Sequence, residues 1–186
     1  MTMDQVSFAE TRLPPGSCII HVYYTPAERV RFTSFLNDSP AAHHGAILAC
    51  HRDAYDGLRP GLRNVDFLGS EMVRIELASN LADNIGEITN SVRFSLRKHR
   101  LVRVMVDFGS VSAAESIFDS EAALAAGLHG LSAVTLSQYD GLGVSAEAVL
   151  EQRRTHAIAI IGNVFQIENA DYTAPEKYFR QRAGGR

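Results

Sequence analysis

Cysteine is scarce in this chain, with two thiols, Cys18 and Cys50, in 186 residues. Both sit inside apolar runs, where a free thiol behaves as a small core hydrophobe. No Cys-x-x-Cys pair occurs, which excludes a zinc ribbon or a thioredoxin-type redox site. Long apolar runs are missing too, since none approaches the roughly 18–20 residues needed to span a bilayer. The first residues lack a basic stretch followed by an apolar one, so no secretory leader is expected. A cytoplasmic protein without membrane contact is the expectation. Positive charge is in deficit, at 18 Lys and Arg against 21 Asp and Glu, which argues against nucleic-acid binding by bulk attraction.

The signatures of common catalytic machinery are absent as well. The phosphate loop Gly-x-x-x-x-Gly-Lys-Ser/Thr does not occur. The segment after the first expected strand, Tyr24-Thr25-Pro26-Ala27-Glu28, has neither glycine nor lysine. Pro26 also removes a backbone donor that a phosphate nest would use. Gly-x-Gly-x-x-Gly, His-Glu-x-x-His and Gly-x-Ser-x-Gly are likewise missing, and Gly141-Leu142-Gly143 reads as a turn. His43, His44 and His51 bracket a strand without forming a helical metal pair. Neither a catalytic activity nor a cofactor or metal is expected.

What remains is an ordinary globular composition, 46% hydrophobic and 21% charged, long enough for one domain with a real core. Residues 1–16 read as a flexible arm, 17–180 as a single domain and 181–186 as a tail. Strands are expected at 18–24, 45–50, 65–68, 72–78, 101–109, 132–138 and 157–161, from runs of β-branched and apolar residues. In the fourth of these, Val73, Ile75 and Leu77 alternate with Arg74 and Glu76, as at a sheet edge. Helices are expected after the Thr25-x-x-Glu28 capping box and from 81 to 96, where Leu81, Ile85, Ile88, Val92 and Leu96 form one apolar stripe. Others are expected from 113 to 126 and after Ser145. Alternating strands and helices, with strands apolar on both faces, predict an α/β three-layer sandwich around a mostly parallel sheet.

Polar side chains gather at the ends of these strands, where open α/β sheets hold ligands. Asp107 follows Val102–Val106. Gln138, Tyr139 and Asp140 end the next strand. Arg154-Thr155-His156 opens the last strong one, and Asn169 lies beyond it. His21 sits on the first strand. Asp107 and Asp140 suit either a ligand crevice or the capping of following helices. Arg97, Lys98, Arg100 and Arg103, with Arg93 and His99, make a basic cluster at a helix end. Such a cluster favours the helix dipole and would also suit an anionic ligand or partner.

Three stretches resemble the MEDS family, the methanogen/methylotroph sensory domain. They are Ser137-Gln138-Tyr139-Asp140, Arg154-Thr155-His156-Ala157, and Glu168-Asn169-Ala170-Asp171-Tyr172-Thr173-Ala174-Pro175-Glu176. His21-Val22-Tyr23-Tyr24 is similar to the family's signature at the end of the first strand. Arg103 to Asp107 is similar to its Arg-x-x-x-Glu strand with Asp for Glu, and the family's helical glutamate falls on Glu121. Ala157 and Ala170 stand where the family has prolines. The resemblance implies a RecA/KaiC-like fold without the ATPase phosphate loop, and a sensory role. It implies a ligand site lined by His21, Tyr23, Tyr24, Asp107, Glu121, Gln138, Tyr139, Asp140, His156 and Asn169. The implied partners are a small molecule and a separate regulator protein (a kinase, a transcription factor or an antisigma-type protein), and self-association into a homo-oligomer is compatible with it. The alternatives are a phosphate-loop-less protein that binds a nucleotide or phosphate messenger, and a pure interaction module.

Overall fold

The computed structural model describes residues 6–8, 11–37, 44–62, 72–77, 81–109 and 114–166, together with 169, 172–174, 177, 180 and 181. The β-branched run Cys18–Tyr23 forms β3 and lies near the middle of a sheet. The sheet's other parallel strands are β4 (His44–Cys50), β5 (Met72–Glu76), β6 (Leu101–Gly109), β7 (Ala133–Asp140) and β8 (Ile158–Ile161), of which β7 and β8 pair with β3. A short antiparallel strand, β9 (Val164–Gln166), closes one edge, giving the order β5-β4-β6-β7-β3-β8-β9. The alternating strand at 72–76 is the opposite edge, as its half-wet pattern requires.

The helices sort to the two faces. Helices α4 (Leu81–Ser95), α5 (Ala114–Leu128) and α6 (Ala146–Arg153) cover one face. There Ile88, Val92, Leu124 and Leu128 meet Val102, Val104 and Val106. Helices α1 (Pro26–Arg31), α2 (Ser34–Asn37) and α3 (Arg52–Leu58) cover the other, with Phe32, Phe35 and Leu58 against Ile19, Leu48 and Met105. Each such side chain, wholly withdrawn from water, contributes about 1.5–3 kcal/mol. The α/β three-layer architecture expected from the sequence is the one observed. Among the described residues no helix is long and apolar enough to cross a membrane.

Several local expectations change. Part of the expected flexible arm is ordered, because β1 (Val6–Phe8) and β2 (Thr11–Leu13) pair as a hairpin. Phe8 stacks edge-on against Phe32 and Phe35, and Leu13 is buried with them. The helix after Thr25 breaks into two at Phe32-Thr33, and a 3-10 turn carries the chain through Pro60-Gly61 where a clean break is expected. Helix α5 runs past Gly127 to Leu128. The expected strand at 65–68 and the first residue of the helix expected from 113 lie outside the described residues.

One switch point lies between the neighbouring strands β3 and β7. The chain leaves β3 over the α1 face and leaves the neighbouring β7 over the α6 face. The carboxyl ends of two such strands frame the crevice in which open α/β sheets bind ligands.

Candidate functional site

Two polar assemblies lie at this switch point, and a third lies across the sheet, where the chain enters the amino end of β8. The first is the start of α1, directly after β3. Thr25 is the N-cap, and its hydroxyl accepts from the Glu28 N–H at 3.2 Å. The Glu28 carboxylate reaches back to accept from the Tyr24 N–H at 2.8 Å, and Pro26 contributes no N–H. A helix start offers free N–H groups to an anion; here the Glu28 N–H goes to the Thr25 hydroxyl, and the Glu28 carboxylate stands over the residues just before the cap. Two loops close over the strand ends: Gly141 N–H donates to the Tyr23 carbonyl at 2.7 Å and Gly162 N–H to the Val22 carbonyl at 2.8 Å. The half-exposed Tyr24 ring rests on Gly141 so closely that a Cβ there would lie 2.4 Å from it.

The second assembly lies beneath α1. Asp107, wholly buried, is held by Arg29 through two hydrogen bonds, Nε to Oδ2 at 2.8 Å and Nη2 to Oδ1 at 3.0 Å. The Gly109 N–H adds a third at 3.0 Å, and the guanidinium also lies over the Tyr23 ring. Burial raises the Asp107 carboxyl above its ordinary value, while Arg29, Gly109 and His51 pull it back. Burial likewise opposes the Arg29 charge, but its bonds to Asp107 more than restore it. Next to this pair, Gln138 Nε2 meets His21 Nδ1 at 2.9 Å, and the His21 ring packs on Phe32.

Gln138 Nε2 also reaches the Arg29 carbonyl at 3.4 Å, which favours the orientation in which the amide donates to Nδ1 and the neutral His21 ring carries its proton on Nε2. That nitrogen lies near the Gly162 backbone without closing a hydrogen bond of standard geometry. Burial lowers the His21 pKa from 6.5 to about 4, against weaker pulls from Gly162 and Glu28. A depressed histidine means the unfolded chain binds the extra proton. Stability is therefore full above about pH 6.5 and falls as the pH drops toward 4, by about 3 kcal/mol in all. Urea titrations of His21→Phe across that window are expected to lack this component; an unchanged slope would contradict the burial argument.

The third assembly is on the opposite face of the sheet. Glu121 of α5 sits 2 % exposed between β7 and the α6–β8 connection. Its Oε2 is 3.1 Å from His156 Nε2, and its Oε1 accepts a very short hydrogen bond from the Tyr139 hydroxyl. His156 Nδ1 lies 3.0 Å from the Thr155 hydroxyl. Asn169 donates to the carbonyls of His156, at 2.7 Å, and Arg153, tying the chain after β9 to this corner. Burial alone would raise Glu121; His156, then Tyr139 and Ser137, outweigh it and hold the carboxyl below its usual range. The Ser137 hydroxyl lies on that side without closing a bond of standard geometry. Burial and Glu121 push Tyr139 well up, and push the nearby Cys18 thiol up to about 12.

The ten residues expected to line one crevice therefore divide. His21, Tyr23, Asp107 and Gln138 face α1, while Glu121, Tyr139, His156 and Asn169 gather on the α5–α6 face. Strand pleating is the reason, because consecutive residues Gln138 and Tyr139 point to opposite faces. Only Tyr24 and Asp140 reach the solvent edge between them, and Asp140 accepts from the Leu142 N–H at 2.9 Å, fixing a turn. The expected basic cluster divides too. Arg97, Lys98 and Arg100 are exposed at the end of α4. Arg103 is buried on the other face and donates to the Phe35 carbonyl at 2.7 Å, so it cannot join them in a surface anion site. Arg29 carries no sequence signal, since a lone arginine in a short helix is indistinguishable from a solvated one. Among the described residues no set of three or more His, Cys, Asp or Glu side chains could hold a metal ion, and His43 lies outside them.

No family model and no curated protein matches this sequence. Among solved structures the chain is similar to the flagellar accessory protein FlaH from Methanocaldococcus jannaschii, with a TM-score of 0.54 and 11% identity. The match covers 92% of this chain and 91% of that one. At this identity the likeness is one of fold, and the fold is RecA-like.

Proposed function

We propose that this protein is a non-catalytic sensory domain on a RecA-like scaffold, which binds a small ligand or a regulatory protein and signals by protein contact. The observation that carries this reading is the start of α1. At the switch point, where a RecA-like sheet offers its ligand site, Thr25, Pro26 and Glu28 leave the helix N-terminus capped and negatively charged. A phosphate would meet a carboxylate there instead of free N–H groups. The Arg29–Asp107 pair commits a cation of α1 and a strand-end acid to each other, and Arg31 is held by Asn163. The exposed edge that remains, Tyr24 with the 141–143 and 162–163 turns, suits an uncharged ligand or a protein surface. The resemblance to the MEDS family supports the sensory role, with a separate kinase, transcription factor or antisigma-type protein as the output.

The RecA-like fold itself favours a second reading, a derived nucleotide- or phosphate-messenger-binding protein. A thermal-shift panel separates the two. A ligand at about 100 times its Kd stabilises by about 2.7 kcal/mol, or roughly 5–10 °C for a chain of this size. Nucleotides and inorganic phosphate, with or without magnesium, are expected to leave the midpoint unchanged and to release no phosphate on incubation. A non-nucleotide ligand whose shift is lost in Tyr24→Ala would support the sensor. A nucleotide-dependent shift or phosphate release would overturn it.

A further inference from the structure

The outer face of α4 carries a pattern that neither the core nor the switch point uses. Asp83, Gly86, Glu87, Asn90, Arg93, Phe94 and Arg97 are all exposed. Asp83, Glu87, Asn90 and Phe94, spaced by four, three and four, share one side of the helix with Gly86 and Arg93 beside them, turned away from the buried Ile88 and Val92, and Arg97 follows in the turn after Ser95. The helix is the outermost of its layer, packing against α5 on one flank. Acid is confined to its first half and base to its second. No Asp or Glu occurs from 88 to 106, whereas Arg93, Arg97, Lys98 and Arg100 fall there.

That polarity also suits the helix dipole, but the dipole gives no reason for Phe94. Its ring is 57% exposed, with the Arg97 guanidinium and the Lys98 ammonium over it at 5.6 and 5.9 Å. Nor does it account for Gly86, a glycine inside an exposed helix that costs about 1 kcal/mol against alanine. A Cβ at Gly86 would meet nothing within 4 Å, so the chain's own packing does not require the missing side chain. Glu87 and Arg93 make no ion pair among the described residues.

We propose that this face docks a second copy of the chain, α4 against α4 in antiparallel register about Asn90. Residues equidistant from Asn90 then lie at the same level of the two helices. Phe94 of one copy comes level with Gly86 of the other, where no side chain obstructs a ring. Glu87 comes level with Arg93, and Asp83 with Arg97, so each acidic half faces a basic half. One twofold axis satisfies both halves at once, as an isologous dimer requires. The partner is thereby fixed: a face that carries both charges in mirrored order complements itself, whereas a purely acidic partner would be repelled by Asp83 and Glu87.

The size of the seam sets the strength. Fifteen residues at about 1.5 Å each, on a helix about 10 Å wide, give a patch of roughly 200 Å² in projection on each copy, small beside the roughly 800 Å² per partner of standard interfaces. The dimer is therefore a weak one, with a Kd on the order of micromolar or above.

Sedimentation velocity on the full chain from about 1 to 500 µM tests this. The expected result is a concentration-dependent shift from 20.4 kDa toward twice that mass. Phe94→Ser, which removes the ring set opposite Gly86, and Glu87→Arg and Arg93→Glu, which bring like charges together across the axis, should each raise the dissociation constant about tenfold or more. The double variant Glu87→Arg/Arg93→Glu restores opposite pairing and should recover dimerisation; unchanged circular dichroism shows that each variant folds. A monomer throughout the range, a dimer indifferent to Phe94→Ser, or a double variant no better than the singles would overturn the proposal. So would a monomer that binds polyglutamate through Arg93 and Phe94, which would give the face to an acidic partner.

Discussion

Glu121→Ala is expected to destabilise the protein by about 3–5 kcal/mol, the range for breaking a buried charge pair by removing one partner. Two groups lose their common acceptor, the His156 ring and the Tyr139 hydroxyl. Neither can turn to water, since His156 and Tyr139 are each 1% exposed. At roughly 2–4 °C per kcal/mol for a chain of this size, the thermal midpoint should fall by about 6–20 °C. Glu121→Gln keeps the shape and one acceptor and should lose less. The pH dependence has a definite sign. The folded carboxyl is held below its unfolded value, so its contribution is present above the unfolded value near 4.3 and lost as pH falls through the folded one. The variant should therefore differ least from the parent at the acid end. Equal stability of variant and parent at neutral pH in urea titrations would mean the network contributes nothing.

Arg29→Ala is expected to cost a similar amount, about 3–5 kcal/mol, because it leaves Asp107 wholly buried with only the Gly109 N–H beside it. Replacing both partners separates a structural seal from a simple sum of losses. Arg29→Met/Asp107→Leu removes two charges together and fills their volume with apolar atoms, which for buried pairs is often neutral or stabilising. The double variant should recover most of the stability lost in Arg29→Ala. The retained Arg29 side chain is 20% exposed, so Asp107→Leu alone leaves a cation that can reach water and should cost less than Arg29→Ala. A double variant as unstable as Arg29→Ala would show that the pair has a role in folding beyond satisfying its own charges.

The fold was legible because its signals are local. Runs such as Val102–Val106 and Ala157–Ile161 are largely apolar on both faces and announce strands covered from both sides. The three-four spacing of Ile85, Ile88 and Val92 announces α4. The Thr25–Glu28 capping box was readable to the residue. The site was legible in its members but not in their grouping. His21, Asp107, Gln138, Glu121, Tyr139 and His156 all turned out to be polar side chains held in the interior. Their division between two faces depends on which residue of each strand points up, and on the register that sets His21 beside Gln138. A list of strand ends does not hold that information. Arg29 and the burial of Arg103 were illegible for the same reason: both depend on what lies across the sheet, Asp107 for one and the Phe35 carbonyl for the other. The β1–β2 hairpin escaped notice because strands of three residues carry too little pattern to stand above a polar arm.

The central claim is that the start of α1 is closed to phosphate by its own side chains. The most direct measurement follows the backbone amides of Tyr24 to Arg29 and the Arg29 Nε–H by 15N NMR during titration with magnesium-ATP to millimolar concentration. The account predicts that these signals hold their positions throughout, with the Arg29 Nε–H still shielded by Asp107. Saturable shifts confined to Tyr24–Arg29, together with loss of the Arg29–Asp107 hydrogen bond, would contradict it.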